Sequence, residues 1–169
     1  MEYKTFLKKQ LDAIYRQIDT VIKDLSDDQF NWAPPGTGNP ISAILLHLLG
    51  GEDMFIHKIL QQKPLCWDAQ EWSRRTDIPG LPGGGSGWED FKTSRVSIAA
   101  VMEYGQAVRA ETLAYLENLD EAELEREVDF FGKKAPAAEV WVILLFHGAS
   151  HFGEIAAIKG IQGVKGLPF

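Results

Sequence analysis

The sequence Leu-Leu-Phe-His-Gly-Ala-Ser-His, residues 144–151, lies inside a long apolar stretch and contains two of the four histidines in the chain. Pro136 precedes this stretch, and three glycines follow it within ten residues of Lys159. Proline is favoured in the first turn of a helix and glycine just beyond the last one. We therefore predict one long helix from Pro136 through Lys159.

Three other segments predict helices that would pack against this one. Residues 3–25 place apolar side chains three and four positions apart, which is the pattern of an amphipathic helix. Residues 41–60 follow Asn39-Pro40, a typical helix start with Asn as the N-cap. Ser86-Gly-Trp-Glu89 resembles a capping box and should open a third helix that ends near residue 118.

A long connection should separate the second helix from the third. Residues 61–87 contain three prolines and a glycine-rich run, so no long regular element fits there. Connections of this length are usually functional lids or mobile segments, and Trp67 and Trp72 suggest that part of this one packs down. The fold class is therefore all-α, a four-helix bundle that forms a single domain over residues 1–169.

Charge and composition exclude several kinds of partner. The formal net charge is −7, and lysine and arginine occur at most in adjacent pairs, which disfavours nucleic acid and anionic membranes. The longest apolar stretches, residues 41–49 and 140–146, are far shorter than the roughly 20 residues of a membrane span. A single cysteine, Cys66, forms no internal disulfide. We expect a cytoplasmic protein.

The histidines predict a metal site. His147 and His151 are four residues apart, so they lie one turn apart on one helix face, where both imidazoles can reach the same ion. His47 lies near the middle of the second helix and would be the third ligand if that helix packs beside the last one. Three imidazoles leave at least one coordination position for water or substrate. They suit zinc, nickel, copper or iron(II) equally well.

Several other polar side chains lie near the three histidines in the sequence. Glu154, one turn beyond His151, can hydrogen-bond an imidazole, act as a base on a bound molecule or supply a fourth ligand. His57 is too far around the second helix to reach the ion, so we place it at the surface or rim. Glu52 and Asp53 are predicted to form the solvated face of that helix. Cys66 is interpreted as an ordinary loop thiol.

These motifs together resemble a known family. Asn39-Pro-Ile-Ser-Ala-Ile-Leu-Leu-His47-Leu and, a hundred residues later, His147-Gly-Ala-Ser-His151-Phe-Gly-Glu154-Ile are similar to the motifs of the DinB/YfiT-type metalloproteins. The resemblance extends over nearly the whole chain. The sequence departs from the family pattern at Glu154, where glutamine is frequent, and at Phe152, where histidine or arginine is common.

The resemblance implies a four-helix bundle, frequently a homodimer, with nickel or zinc on His47, His147 and His151. Some relatives are transferases that attach a low-molecular-weight thiol, such as bacillithiol, mycothiol or glutathione, to a small-molecule substrate. A metal-dependent thiol S-transferase is therefore the leading hypothesis. Two alternatives stay open: a metal-assisted hydrolase that uses bound hydroxide, and a metal-binding bundle without catalysis.

Overall fold

The structure is a computed structural model that describes residues 2–78, 80–83 and 87–167. Its main elements are four long helices, one of which continues as a π-helix, together with short helices and one β-hairpin. In chain order they are α1 (Tyr3–Ile22), α2 (Asp27–Phe30), α3 (Ile41–Asp53), the π-helix (Met54–Leu60), α4 (Cys66–Ala69), α5 (Trp72–Arg75), α6 (Asp90–Thr93), α7 (Ile98–Glu117), α8 (Glu121–Glu125), β1 (Glu127–Phe130), β2 (Lys133–Pro136) and α9 (Ala137–Ile161). The predicted all-α bundle is confirmed.

Helix α3 is the centre of the bundle. It packs against α9 on one side and α7 on another, while α1 packs against α9. Its side chains are buried nearly all round, as expected for an apolar segment without a polar face. By contrast, α1 buries one stripe of apolar residues, including Leu11 and Ile18, and exposes its charged face. This arrangement places the middle of α3 beside the middle of α9.

The segment predicted as the second helix changes its hydrogen bonding halfway along. Residues 41–60 are helical throughout, but α3 ends at Asp53 and a π-helix follows. The helix also begins one residue later than predicted, because Pro40 and not Asn39 occupies the N-cap position. A π-helix bonds residue i to i+5, so it turns the following side chains to a different direction from that of an α-helix.

The connection over residues 61–87 is long, as predicted, but it contains the short helices α4 and α5. Trp67 and Trp72 are buried, which confirms that this part packs down. The third long helix begins at Ile98, so the predicted start near Glu89 is wrong. A short helix, α6, occupies part of the interval, and Ser86 of the predicted capping box lies outside the described residues.

Glu52 and Asp53 are not on a solvated face, contrary to the prediction. Both are buried, and Glu52 accepts hydrogen bonds from the hydroxyls of Tyr15 at 2.5 Å and Thr112 at 2.7 Å. His57 is also buried, with Nδ1 2.7 Å from Oδ1 of Asp53, so its predicted surface position is wrong. These acids face inward because other elements supply donors that replace water.

Helix α9 is long and apolar enough, by length and composition, to cross a membrane. The mean hydropathy of an 18-residue window is 1.3, and 33% of that window is buried in the bundle. The prediction from apolar stretches ended at residue 146 and did not include the glycine, alanine and isoleucine residues of α9 beyond it, which are compatible with a span. A helix that packs in a bundle passes the same test, so this finding does not place the chain in a membrane.

Candidate metal centre

The packing of α3 against α9 brings three histidines together. His47 comes from α3, and His147 and His151 come from successive turns of α9. One nitrogen from each ring lies within 4.8 Å of the others, and the Nε2 atoms of His47 and His147 are 3.1 Å apart. All three side chains are partly buried. The predicted proximity of His47 to the α9 pair is thus observed.

Hydrogen bonds orient two of the three rings. Nδ1 of His47 lies 3.0 Å from the carbonyl oxygen of Pro82, and Nδ1 of His151 lies 2.7 Å from Oε2 of Glu154. A carbonyl or carboxylate oxygen can only accept, so each Nδ1 donates its proton. The Nε2 lone pairs of both rings are therefore available, which is the arrangement that outer hydrogen bonds give to metal-binding histidines.

The separation between rings fits a shared ion. Two nitrogens that both bind one ion at about 2.0–2.1 Å are about 3 Å apart when the angle at the ion is near tetrahedral or a right angle. The Nε2–Nε2 distance of 3.1 Å between His47 and His147 meets this condition. The Nδ1 atom of His147 differs from those of the other two rings, because it is buried without a hydrogen-bond partner among the described residues.

The environment of His47 and His147 keeps these two rings neutral. Burial, with smaller contributions from His151 and His47, lowers the pKa of His147 to about 3. Burial also lowers the pKa of His47, although its bond to the Pro82 carbonyl acts in the opposite direction. Neutral imidazoles carry the lone pair that a metal ion needs, so these two rings do not have to lose a proton near neutral pH before they bind an ion.

A glycine in α3 makes room for the His147 ring. A Cβ atom built on Gly51 would lie 2.6 Å from Cε1 and 3.1 Å from Nδ1 of His147. Gly148 has a similar role on α9, where a Cβ would lie 2.8 Å from Ile14 of α1. Gly51 therefore lets an imidazole lie against the α3 backbone, and Gly148 lets α1 and α9 approach closely.

Aromatic side chains and the long connection border the site. The ring centroids of Trp88 and His47 are 4.9 Å apart, and those of Phe55 and His147 are 5.8 Å apart. Pro82, whose carbonyl orients His47, belongs to the same connection. A lid role predicted for residues 61–87 therefore has a specific contact at Pro82, while residues 79 and 84–86 lie outside the described residues.

The other candidate residues lie outside the cluster of ligand atoms. Glu154 contacts His151 but does not belong to the three-residue group, so its observed role is that of a hydrogen-bond acceptor. Cys66 is buried, and His57 contacts Asp53 instead of the three rings. The sequence does not identify Pro82 and Phe55 as residues of the site. A backbone carbonyl has no sequence signature, and Phe55 looks like any core aromatic.

We predict that Glu154→Ala lowers the affinity for zinc or nickel by about 10- to 100-fold, the usual effect of removing an outer partner of a metal-binding histidine. The physical reason is that the His151 ring loses the acceptor for Nδ1–H. Glu154→Gln keeps an acceptor oxygen and should retain most of the affinity. Competition with a chromophoric chelator measures both variants, and equal affinity of Glu154→Ala and wild type would contradict the role.

We also predict that acid destabilises the metal-free protein through His147. Its pKa is about 3 in the folded state but near 6.5 in an unfolded chain, so the unfolded chain binds more protons between these values. The corresponding stability is fully present above pH 6.5 and is lost as pH falls towards 3. A single group contributes at most about 1.4 kcal/mol per pH unit, and partial exposure of the ring reduces this.

The measurement for this second prediction is urea unfolding with chelator present, at pH values of about 7.5 and 5.5. The free energy of unfolding should fall less between these pH values for His147→Gln than for wild type. If both proteins lose the same amount, the protonation of His147 does not contribute to acid sensitivity.

A helical bundle with three converging, partly buried imidazoles defines a class of small protein with a site suited to one metal ion. Comparison with protein families agrees with this class: a sequence model of the DinB superfamily matches residues 10–155. The chain belongs to the DinB superfamily, which confirms the resemblance seen in the two histidine motifs. A comparison with functionally curated proteins finds no match.

Two solved structures share the fold at low sequence identity. A conserved protein from Enterococcus faecalis is 16% identical, with a TM-score of 0.81, and the match covers 96% of this chain and 99% of that one. A DinB-like protein, YjoA, from Bacillus subtilis is 17% identical, with a TM-score of 0.58, and the match covers 98% of this chain and 95% of that one. At these identities the likeness supports the fold alone.

Proposed function

We propose that this protein binds one divalent metal ion, nickel or zinc, through His47, His147 and His151, and transfers a low-molecular-weight thiol to an electrophilic small molecule. The observation that carries the metal proposal is the orientation of the rings. The Pro82 carbonyl and the Glu154 carboxylate accept hydrogen bonds from Nδ1 of His47 and His151, so the Nε2 lone pairs of these two rings are available. One nitrogen of each of the three rings lies within 4.8 Å of the others.

The thiol has to come from the substrate, because the protein's own cysteine is unsuitable. Cys66 is buried, and burial together with the nearby Asp53 carboxylate raises the pKa of its thiol to about 11. A thiol with such a pKa is almost entirely protonated near neutral pH and is a poor nucleophile. A divalent ion with an open position supplies a Lewis acid that lowers the pKa of a bound thiol.

The proposed reaction is a nucleophilic displacement. The thiol proton passes to solvent, the sulfur forms a bond to the electrophilic carbon, and the leaving group departs with the electron pair of the broken bond. The three imidazoles would hold the metal ion, Glu154 holds the His151 ring, and Trp88 borders the site on the side of His47.

Two measurements test this proposal. Elemental analysis of protein purified without chelators should find about one nickel or zinc per chain, and His47→Ala should lose it. Conjugation of glutathione, bacillithiol or mycothiol to monochlorobimane should then require the metal. Bound metal with no thiol turnover would refute the transferase and favour either hydrolysis, tested with ester substrates, or a non-catalytic role. Absence of metal binding would refute the whole proposal.

We further propose that the outward face of α9 binds a second copy of this chain. Val142, Phe146 and Ile161 on this helix are 64%, 69% and 65% exposed, an apolar surface that usually marks an interface. The sequence from residue 142 to 158 contains no lysine or arginine, so the face lacks the cations that attract an anionic membrane. A two-fold contact centred on Val142 and Phe146 buries apolar surface and brings no lysine or arginine of residues 142–158 into the interface.

Light scattering after size-exclusion chromatography tests the dimer. The wild type should have twice the mass of one chain, and Val142→Glu should be monomeric because it places a charge in the contact. Phe6→Glu, on an exposed position of α1, is the matched control and should remain dimeric. A wild-type monomer would refute this assignment. Location in the cytoplasm stays a prediction.

A further inference from the structure

A second cleft lies away from the histidines, between the π-helix and the β-hairpin. Its volume is about 500 Å³, which is within the usual range of small-molecule sites. The π-helix contributes Met54, Lys58 and Ile59, and the hairpin contributes Phe131 and Lys134. Gln62 completes this part of the lining. None of the three histidines of the metal centre lines it.

Phe131 occupies a hairpin position that suits another residue type. β1 and β2 pair from Phe130↔Lys133 outward, so Phe131 and Gly132 form a two-residue turn. Both have positive φ, +53° and +78°, which corresponds to a turn in which asparagine followed by glycine is preferred. The phenylalanine is strained there and is 69% exposed. Neither the formation of the turn nor packing in the core accounts for a phenylalanine at position 131.

Gln62 shows the same mismatch on the opposite side of the cleft. The Gln61 and Lys63 amides donate to the carbonyls of Ile56 and His57, which closes the end of the π-helix. Gln62 takes the left-handed conformation, φ +54°, at the position where glycine normally ends a helix. Three non-glycine residues of the described chain have positive φ, and two of them line this one cleft.

Strained residues and π-helices both concentrate at functional sites, and here they border one cavity. We propose that this cleft is a second binding site, which takes a small carboxylate with an aromatic or branched apolar body. Phe131, Met54 and Ile59 would contact the apolar body. Lys58 would bind the carboxylate, since none of the ion pairs in the described part of the chain uses its ammonium group.

The acidic residues of the lining do not remove this preference. Asp129 is the cross-strand neighbour of Lys134, and its Oδ1 accepts a hydrogen bond from the Gly132 amide at 2.9 Å. These two opposite charges therefore balance within the hairpin. Glu127 lies at the base of β1, four residues from the turn that holds Phe131. Lys58, on the facing π-helix, remains the cation across the cleft from Phe131.

The cleft is adjacent to the metal centre without being part of it. The Phe55 ring packs edge-on against the Phe131 ring and the His147 ring, with centroid distances of 6.4 Å and 5.8 Å. Phe55 is itself buried and lies between a ring that lines the cleft and a ring of the metal centre. The proposal does not depend on metal binding, and His47→Ala should therefore bind the carboxylate as well as wild type does.

The probe is 3-phenylpropionate, added to the full-length protein and followed by amide NMR shifts. Saturable shifts should appear in residues 54–62 and 127–134, with half-saturation at about 1 mM or below. 3-Phenylpropylamine, which carries the opposite charge, and butyrate, which lacks the ring, should bind at least about tenfold more weakly. Absence of saturable shifts with 3-phenylpropionate would refute the site.

Two variants locate the contacts. Phe131→Asn removes the ring but fits the turn, so its midpoint of thermal unfolding should not fall, while affinity for 3-phenylpropionate should drop at least about tenfold. Lys58→Gln should weaken the carboxylate probe and not the amine. Phe6→Gln, which removes an exposed ring on α1, should change nothing. Unaltered affinity in Phe131→Asn, or equal losses in Phe6→Gln, would overturn the assignment.

Discussion

Asp53→Ala should lower the free energy of unfolding by about 3–5 kcal/mol, the usual effect of breaking a buried charged network by removing one partner. The Asp53 carboxylate is fully buried and accepts hydrogen bonds from the amides of Cys66 at 2.8 Å and Trp67 at 2.9 Å. The Tyr104 hydroxyl donates to it at 2.8 Å. Alanine would leave these buried donors without an acceptor, and each is costly to bury unpaired.

The same carboxylate connects three parts of the molecule. It belongs to the last residue of α3, while its donors come from the start of α4 and from α7. Asp53 therefore fixes the beginning of the long connection whose later residue, Pro82, orients His47. We expect Asp53→Ala to loosen this connection as well as to destabilise the bundle.

Urea unfolding in the presence of chelator measures the effect on stability without a contribution from bound metal. Asp12→Ala is the matched control, because Asp12 forms an exposed pair with Lys8 on α1 and should cost less than about 1 kcal/mol. Asp53→Asn keeps one acceptor oxygen, so its loss of unfolding free energy should lie between those of Asp53→Ala and Asp12→Ala. Similar losses in Asp53→Ala and Asp12→Ala would show that the buried network does not stabilise the fold.

The amphipathic and apolar periodicities predicted most of the bundle correctly. Hydrophobic spacing in α1 and the apolar stretch of α9 follow local rules, so both helices were predicted to within a few residues. The pairing of His147 with His151 follows from the same helical geometry. The predicted start of α7 was wrong because the predicted helix ran through residues 94–97, which are not helical.

The errors at Glu52, Asp53 and His57 have a different physical origin. A carboxylate in a helix usually faces water, and only partners from distant parts of the chain reverse that preference. The two hydroxyls that donate to Glu52 lie 37 and 60 positions away in the chain. The amide and hydroxyl groups that donate to Asp53 lie 13 to 51 positions away. No local pattern encodes such contacts. For His57, the π-helix changes the direction that regular α-helical geometry predicts.

The candidate site shows the same division between local and tertiary information. Placing His47 beside the α9 pair needed the packing of α3 on α9, which the family resemblance supplied and periodicity did not. Details that set the position of each ring, such as the Pro82 carbonyl against His47, depend on how the long connection folds back. A glycine beside a ligand is visible in the sequence, but which ring it accommodates is not.

Gly51→Ala should lower metal affinity on the order of 100-fold, the upper end of the effect of changes just outside the ligands. The added Cβ would lie 2.6 Å from Cε1 of His147, a distance that atoms do not tolerate, so the ring has to move by several tenths of an ångström. Metal–ligand distances tolerate only about 0.2 Å. The His147 ring cannot satisfy both requirements in its present position.

Stability and metal binding should separate in this variant. Alanine favours a helix interior over glycine by about 1 kcal/mol, which offsets part of the steric cost in α3. The metal-free Gly51→Ala protein should therefore remain folded, as judged by circular dichroism and urea unfolding with chelator. Zinc and nickel affinities, measured by competition with a chromophoric chelator, should fall.

Gly160→Ala is the matched control, because a Cβ at that position of α9 meets no other atom within 4 Å. It should raise stability slightly and leave metal affinity unchanged. If Gly51→Ala binds metal as tightly as Gly160→Ala does, then His147 is not held against the α3 backbone as a ligand. In that case His47 and His151 would need a different third ligand, and the three-histidine assignment would fail.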